Sequence, residues 1–329
     1  MDWRVKAVAQ GLLARLPGGI RVNSVLQRVA GGRRDIGAHV HSKVVDDWLP
    51  QMAQLRRLEF APEGRSLVEI GTGWLPVFPL CFSLVGASRC DSYDLRRHMA
   101  AGAVRLTLLH LERHLTALAG AAGVAELRVR DRFARLGAAP DEAALLREAG
   151  IAYHAPGDAT RTGLEAGRVA LVFSNTVLEH VPPEVLEGLM RETRRILAPD
   201  GLAFHGVNCG DHYAYFDRTI TPIHYLRFSE RAWRWWNNDI LYQNRLRPTD
   251  FVMAARRAGL RVVLDRRGKR KDLLEQFATL PVDEAFRSYP IEELCCTSMD
   301  LALAPAEGAM RVLAGEETAR DYQPSPAGP

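Results

Sequence analysis

Between Asn208 and Phe228 the chain gathers Asp211, His212, Tyr213, Tyr215, Asp217, His224 and Tyr225 in one connecting segment. A loop this rich in titratable and aromatic groups belongs on the surface or in the wall of a site. A surface loop packed by its own aromatics is the plainer alternative. His212 is the first candidate for a general base, because an unperturbed imidazole titrates close to working pH. His180, in "LEHV", is the second, with a structural or loop-orienting role weighed against it. Tyr213 and Asp217 are candidates to orient a reacting amine or a cationic centre.

Metal chemistry is not expected. His39 and His41 form an H-x-H, and His110 and His114 share a helical face, but neither pair has a nearby third ligand. Glu112 is misplaced for the glutamate of a zinc-peptidase helix. Trp233, Trp235 and Trp236 lie in a helical stretch and read as packing rather than as a stacking platform. "RRGKRK", Arg266 to Lys271, reads as a solvated loop after a strand rather than a phosphate-binding patch.

These residues need a framework. The chain has 329 residues, 47% hydrophobic and 25% charged, which suits one large α/β domain or two small ones. The net charge of +4 comes with arginines scattered through helices, so nucleic acid is not an expected partner. Cys81, Cys90, Cys209, Cys295 and Cys296 show no paired spacing. They read as reduced core thiols of a cytoplasmic protein. No signal-peptide pattern opens the chain, and no window approaches the ~18 apolar residues of a membrane span.

The first sixty residues predict three short helices. Val5, Val8, Leu12 and Leu16 share an apolar face that stops at Pro17–Gly19, and Val22, Val25, Leu26 and Val29 repeat the pattern. Val44, Val45, Trp48, Met52, Leu55 and Leu58 make the third stripe, with Pro50 restricting its start. From Leu67 the period changes to buried strands: "LVEI", "CDSYDL", "IAYHAPGDA", "VALVFSN", "LAFHGVN", "LRVVLDR" and "LCCTSMDLALAP". Helices alternate with them, including one from Pro182 whose core face reads Val185, Leu189, Met190, Thr193 and Leu197. Roughly fifty residues separate the second and third strands, where a crossover needs a dozen or so. Val104, Leu108, Leu111, Leu115 and Leu118 mark that stretch as a helical insertion.

The resulting division is a helical cap over 1–64, a doubly wound domain over 65–304 with its insertion at about 96–150, and a poorly ordered tail over 305–329. "VEIGTGWLP", Asp94 closing "DSYDL", "GDA" at Gly157–Ala159, "SNTVLEHV" at Ser174–Val181 and "RRILAPDGLAF" at Arg194–Phe204 follow in order. Together they resemble the class I S-adenosylmethionine-dependent methyltransferases over about two thirds of the chain, leaving out the cap and the insertion. The resemblance implies an α/β fold with a doubly wound, seven-stranded, mostly parallel sheet.

The turn itself favours the same ligand. A pyrophosphate cofactor needs a third glycine where this chain has Trp74, followed by Leu75 and Pro76. A ligand without phosphates suits the wider turn, with Gly71 and Gly73 letting the backbone pass close to its amino-acid part. Asp94 would accept from two ribose hydroxyls, as the acid does in dinucleotide sites. By the resemblance, Asp158 would meet the adenine amino group, Ala159 the ring edge, and Asn175 the methionine part and sulfonium. Glu69 would orient the loop or the cofactor ammonium, and Thr72, Trp74 and Leu95 would complete the cofactor shell.

The expected function is methyl transfer to a small-molecule metabolite or biosynthetic intermediate, since cap and insertion would exclude bulky polymers. The alternative is another cleavage of the same sulfonium, either closure to an azetidine or aminocarboxypropyl transfer, releasing methylthioadenosine. The aromatic loop would then shield the cation. A non-catalytic cofactor-binding subunit is the second alternative, against which the retained Asp94, Asp158 and Asn175 count. Partners expected are a small molecule and, as an open question, a second copy of the chain, with neither nucleic acid nor membrane.

Overall fold

All seven apolar runs become strands: β1 (Ser66–Ile70), β2 (Arg89–Tyr93), β3 (Ile151–His154), β4 (Val169–Asn175), β5 (Leu197–Asn208), β6 (Leu260–Lys269) and β7 (Cys296–Pro305). The computed structural model describes residues 2–16 and 35–307. The strands form one sheet in the order β3-β2-β1-β4-β5-β7-β6. The first five are parallel, and β7 runs antiparallel between β5 and β6. The strand order reverses at β1 and β4, so the carboxyl ends of these two strands open the crevice where such sheets hold ligands.

In chain order the first helices are α1 (Trp3–Arg15), α2 (Ile36–Ser42), α3 (Leu49–Arg57) and α4 (Val77–Leu84). The insertion supplies α5 (Ala103–Leu111), α6 (Leu115–Ala122), α7 (Glu126–Gly137) and α8 (Glu142–Glu148). Then follow α9 (Pro183–Ile196), α10 (Glu230–Trp236), α11 (Pro248–Arg257), α12 (Lys271–Phe277) and α13 (Ile291–Leu294). On one face of the sheet, Val40, Trp48 and Met52, the α4 residues, and Leu108, Leu118, Val129 and Leu145 of the insertion share a core with Leu67, Phe173 and Phe204. On the other, α9 and α11 cover Val68, Val172, Ala203 and Leu303. Neighbouring strand residues are buried on opposite faces, which is why the strands read as continuous apolar runs.

The N-terminal region does not form a single cap. α2 and α3 are joined by a π-helical turn, Lys43–Trp48, in which the Leu49 amide reaches back to the Val44 carbonyl just before Pro50. This helix lies on the sheet face beside the insertion. α1 goes elsewhere, to a third core of Trp3, Ala7, Tyr213, Tyr225, Leu226 and Trp233. Its expected apolar face is the exposed one: Val5, Val8, Leu12 and Leu16 are 63%, 54%, 59% and 58% exposed. The buried face instead follows Trp3, Ala7 and Gln10, because the Trp3 ring packs 4.9 Å from Trp236 and 5.0 Å from His224. Such ring pairs add about 0.5–1.5 kcal/mol beyond the area they bury.

Two smaller readings also shift. α9 buries Leu186 and Ile196 with Leu189, Met190 and Thr193, while Val185 faces outward, a rotation of one position from the expected stripe. β6 continues beyond the expected "LRVVLDR" to Lys269, so most of "RRGKRK" is strand rather than loop. Arg267 bridges Asp265 and Glu293, each at 2.8 Å, so the start of "RRGKRK" is tied into the sheet. The five cysteines are free and buried. The stripe from Val22 to Val29 and the tail beyond Glu307 lie outside the described residues. Among the described residues no helix is long and apolar enough to cross a membrane.

Candidate functional site

β1 delivers the chain into a turn that only glycine makes easily: φ is +79° at Gly71 and +71° at Gly73. Gly71 has a second constraint, since a Cβ there would collide with the Val177 side chain that follows β4. The Gly73 amide donates to Asp94 Oδ2 at 3.1 Å, and the Tyr153 hydroxyl donates to the same oxygen at 2.8 Å. Asp94 follows β2, and Tyr153 stands near the end of β3. Burial raises the Asp94 pKa, while Tyr153, His98 and the Gly73 and Thr72 amides pull it back. Oδ1 meets Gly73 only at 3.4 Å, which leaves it the better acceptor for a ligand hydroxyl. The Trp74 ring lies 5.8 Å from that of His98, at the flank of the turn.

Glu69 is buried in β1 and accepts from the Ser92 hydroxyl at 2.9 Å. Burial pushes its pKa up to about 8, with Asp94 adding to the rise and the Thr72 and Ser92 hydroxyls and Lys43 opposing it. The Thr72 hydroxyl faces Glu69 without closing an ordinary hydrogen bond and has no other partner among the described residues. A ligand ammonium here would stabilise the ionised carboxylate. Asp158 is exposed, and its pKa is lowered by the Thr160 hydroxyl at 2.6 Å and amide at 2.8 Å. Ala159 packs at the edge of the second core. Leu95 is 77% exposed.

Asn175 ends β4, and the α2–α3 helix is latched onto it. Gln51 Nε2 donates to Asn175 Oδ1 at 2.7 Å, and Asn175 Nδ2 donates to Asp47 Oδ2 at 2.9 Å. Lys43 Nζ reaches the same Asp47 oxygen at 3.0 Å. Gly206 beside Asn175 has no room for a Cβ, which would meet Asn175 Oδ1 and Gln51 Nε2 at 2.8 Å. The next residue, Thr176, holds φ +56°, a conformation that costs a β-branched residue about 1–3 kcal/mol. Its amide is satisfied by the Gly206 carbonyl at 2.8 Å, which helps hold the strained turn.

The aromatic loop divides between two places. His212 turns inward, 5.0 Å from the His180 ring and 5.2 Å from Tyr215. Both His212 ring nitrogens are buried without hydrogen-bond partners, and burial, then the charge of His180, lowers its pKa well below the ordinary value. It is therefore neutral and a weaker base than its residue type suggests. His180 Nδ1 donates to the Tyr242 carbonyl at 2.6 Å, and burial lowers its pKa too. Tyr213 and Asp217 are not brought to this site. The Tyr213 hydroxyl donates to the Trp236 carbonyl at 2.6 Å inside the third core. Asp217 accepts from the Trp3 amide at 3.0 Å and from the Thr219 hydroxyl at 2.6 Å. Thr219 and then Trp3 hold its pKa near about 2, so it anchors α1.

Sequence reasoning missed Glu179. Its carboxylate and the two imidazoles offer donor atoms all within 4.8 Å of one another. Burial pushes its pKa up to about 8, and the amides of Glu179 and Asn208 oppose that without closing ordinary hydrogen bonds. The only available signal was its place inside the "LEHV" already singled out for His180. Tyr153, Asp47 and Gln51 were missed as well, each being a partner of an expected residue rather than a motif member.

A methyltransferase-domain family model matches residues 41–264. No curated protein matches at a significant level. Among solved structures, the chain is similar to geranyl diphosphate C-methyltransferase from Streptomyces coelicolor A3(2), at 14% identity over 83% of this chain and 86% of that one, TM-score 0.42. It is also similar to an S-adenosylmethionine-dependent methyltransferase from Mesorhizobium loti, at 15% identity over 78% and 99%, TM-score 0.39. A TehB-like enzyme from Corynebacterium glutamicum matches at 13% identity over 78% and 87%, TM-score 0.37. With the family model spanning the turn after β1, both carboxylates at the crevice and the strands that carry them, the chain belongs to the methyltransferase-domain family and is an S-adenosylmethionine-dependent transferase.

Proposed function

We propose that the chain transfers the methyl group of S-adenosylmethionine to a small-molecule acceptor. The observation that carries this reading is the closure of the sheet edge at Asn175. Asp47 and Gln51 sit directly on it, and beside them lies a narrow cleft that Arg266, Met299 and Asp300 also line. The cleft lies beside Asn175 and does not reach the glycine turn or Asp94.

In this reading Asp94 takes the ribose hydroxyls, Asp158 the adenine amino group and Ala159 the ring edge. Gly71, Thr72, Gly73 and Trp74 pass along the amino-acid part, and Glu69 meets its ammonium. Methyl transfer is an in-line displacement, so orientation and exclusion of water supply most of the rate. A proton acceptor is needed only for an acceptor that must lose a proton. Cyclisation loses its main support, because Tyr213, Trp233 and Tyr225 pack α1 and the loop instead of a cation site.

The test is to incubate the purified chain with S-adenosylmethionine, alone and with pooled metabolites, and identify the nucleoside formed. Adenosylhomocysteine that appears only with small acceptors is expected. Methylthioadenosine without any acceptor means that another bond of the sulfonium is broken. Adenosylhomocysteine formed only with protein or nucleic acid would overturn the small-molecule assignment.

A further inference from the structure

We propose that Glu179, His180 and His212 bind one divalent transition-metal ion. The donors come from two connections at the carboxyl edge of the sheet: Glu179 and His180 from the 3-10 turn after β4, and His212 from the one after β5. Both carboxylate oxygens of Glu179 and both ring nitrogens of His212 are buried with no hydrogen-bond partner among the described residues. Burying such groups unpaired is costly, and here they converge.

His180 is set up as ligands usually are. Its Nδ1 donates to the Tyr242 carbonyl at 2.6 Å, which fixes the tautomer and leaves the Nε2 lone pair for a cation. His212 is held by the Tyr215 ring, stacked at 5.2 Å and 25°, and the Tyr215 hydroxyl is itself bonded by Asn208. The donor atoms lie within 4.8 Å of one another. Two ligands at about 2.1 Å from one ion are at most about 4.2 Å apart, so a small side-chain rotation closes the site. Two imidazoles and one carboxylate suit zinc, manganese, iron or cobalt rather than magnesium or calcium, which prefer all-oxygen shells. Three protein ligands leave positions for water or for an oxygen of a bound molecule. The ion would also supply positive charge to a carboxylate that neither hydrogen bonds nor an ion pair now satisfies, Lys43 acting on it only at a distance.

The full chain, stripped with chelator, is titrated with Co²⁺ in the absence of cofactor and acceptor, following visible d–d absorption. One equivalent should bind per chain. His212→Ala should weaken binding by about 100-fold or more, since loss of even an outer-shell partner costs 10–100-fold. His41→Ala, which breaks the ring pair of His41 and His114 on the insertion side, should leave the affinity unchanged. Anomalous diffraction from the cobalt-soaked wild-type protein gives a readout that no variant's folding can spoil, with the ion expected between Glu179, His180 and His212. No bound Co²⁺, a peak elsewhere, or full affinity in a folded His212→Ala would overturn the proposal. None of these outcomes depends on the methyl-transfer reading.

Discussion

Gln51 and Asn175 are 124 residues apart in sequence and 2.7 Å apart across a hydrogen bond. With Asp47 on the other end of the amide, both the oxygen and the nitrogen of the side chain that ends β4 are engaged by the N-terminal helix. Asn175→Ala should therefore cost about 1–3 kcal/mol of stability, because it strands the buried Gln51 amide and leaves Asp47 with Lys43 as its remaining donor. Gln51→Ala should cost less, and the double mutant should show coupling of about 0.5–1.5 kcal/mol. Urea denaturation measures all three. A variant of Asn175 with unchanged stability would mean that the latch contributes nothing.

Tyr153 supports Asp94 from the neighbouring strand. Removing its hydroxyl with Tyr153→Phe deletes one hydrogen bond to the carboxylate and frees it to rotate. Cofactor affinity should fall about 5- to 10-fold, corresponding to about 1–1.4 kcal/mol. Equilibrium binding of adenosylhomocysteine checks this, and an unaltered constant would separate Tyr153 from the site.

Glu69 makes a pH prediction with a definite sign. Its pKa in the folded chain is raised from 4.5 to about 8, so the protonated form is the one that folding favours. Its contribution to stability is full below the unfolded pKa and is lost as pH rises through the folded one. Relative to Glu69→Gln, the wild-type chain should lose stability between about pH 4.5 and 8, by at most about 1.4 kcal/mol per pH unit. Denaturation of both proteins at several pH values tests it. A constant difference would show that Glu69 is ionised throughout.

Tyr213 separates packing from chemistry. Tyr213→Phe leaves the Trp236 carbonyl with only a long bond from Asn238, 3.5 Å, and should cost about 1–2 kcal/mol. Turnover of the folded variant at saturating substrate should stay within about twofold, because the hydroxyl points away from the crevice. A large fall in kcat with stability intact would return Tyr213 to the chemistry.

The strands, their order and the glycine turn were legible because each leaves a local mark. A buried parallel strand is a short apolar run, and a left-handed turn demands glycine at positions such as Gly71 and Gly73. The helix faces were less legible. In α1 two stripes compete, and the aromatic pocket that favours Trp3 over Val5 and Leu12 is built from residues more than two hundred positions away. The aromatic loop misled for the same reason. His212 and Tyr213 are adjacent in sequence, yet one faces Glu179 and the other packs under Trp3. Glu179 escaped notice because a lone glutamate carries no signal until its oxygens are seen to lack partners.

The central claim is that the turn after β1 and Asp94 hold S-adenosylmethionine. Calorimetric titration of the full chain with adenosylhomocysteine, and separately with NAD, tests it most directly. The expected result is one site per chain for adenosylhomocysteine, no binding of NAD, and about 100-fold weaker binding in Asp94→Ala, equivalent to about 2.7 kcal/mol. Equal affinity in wild type and a folded Asp94→Ala, or binding of NAD in preference to adenosylhomocysteine, would contradict the account.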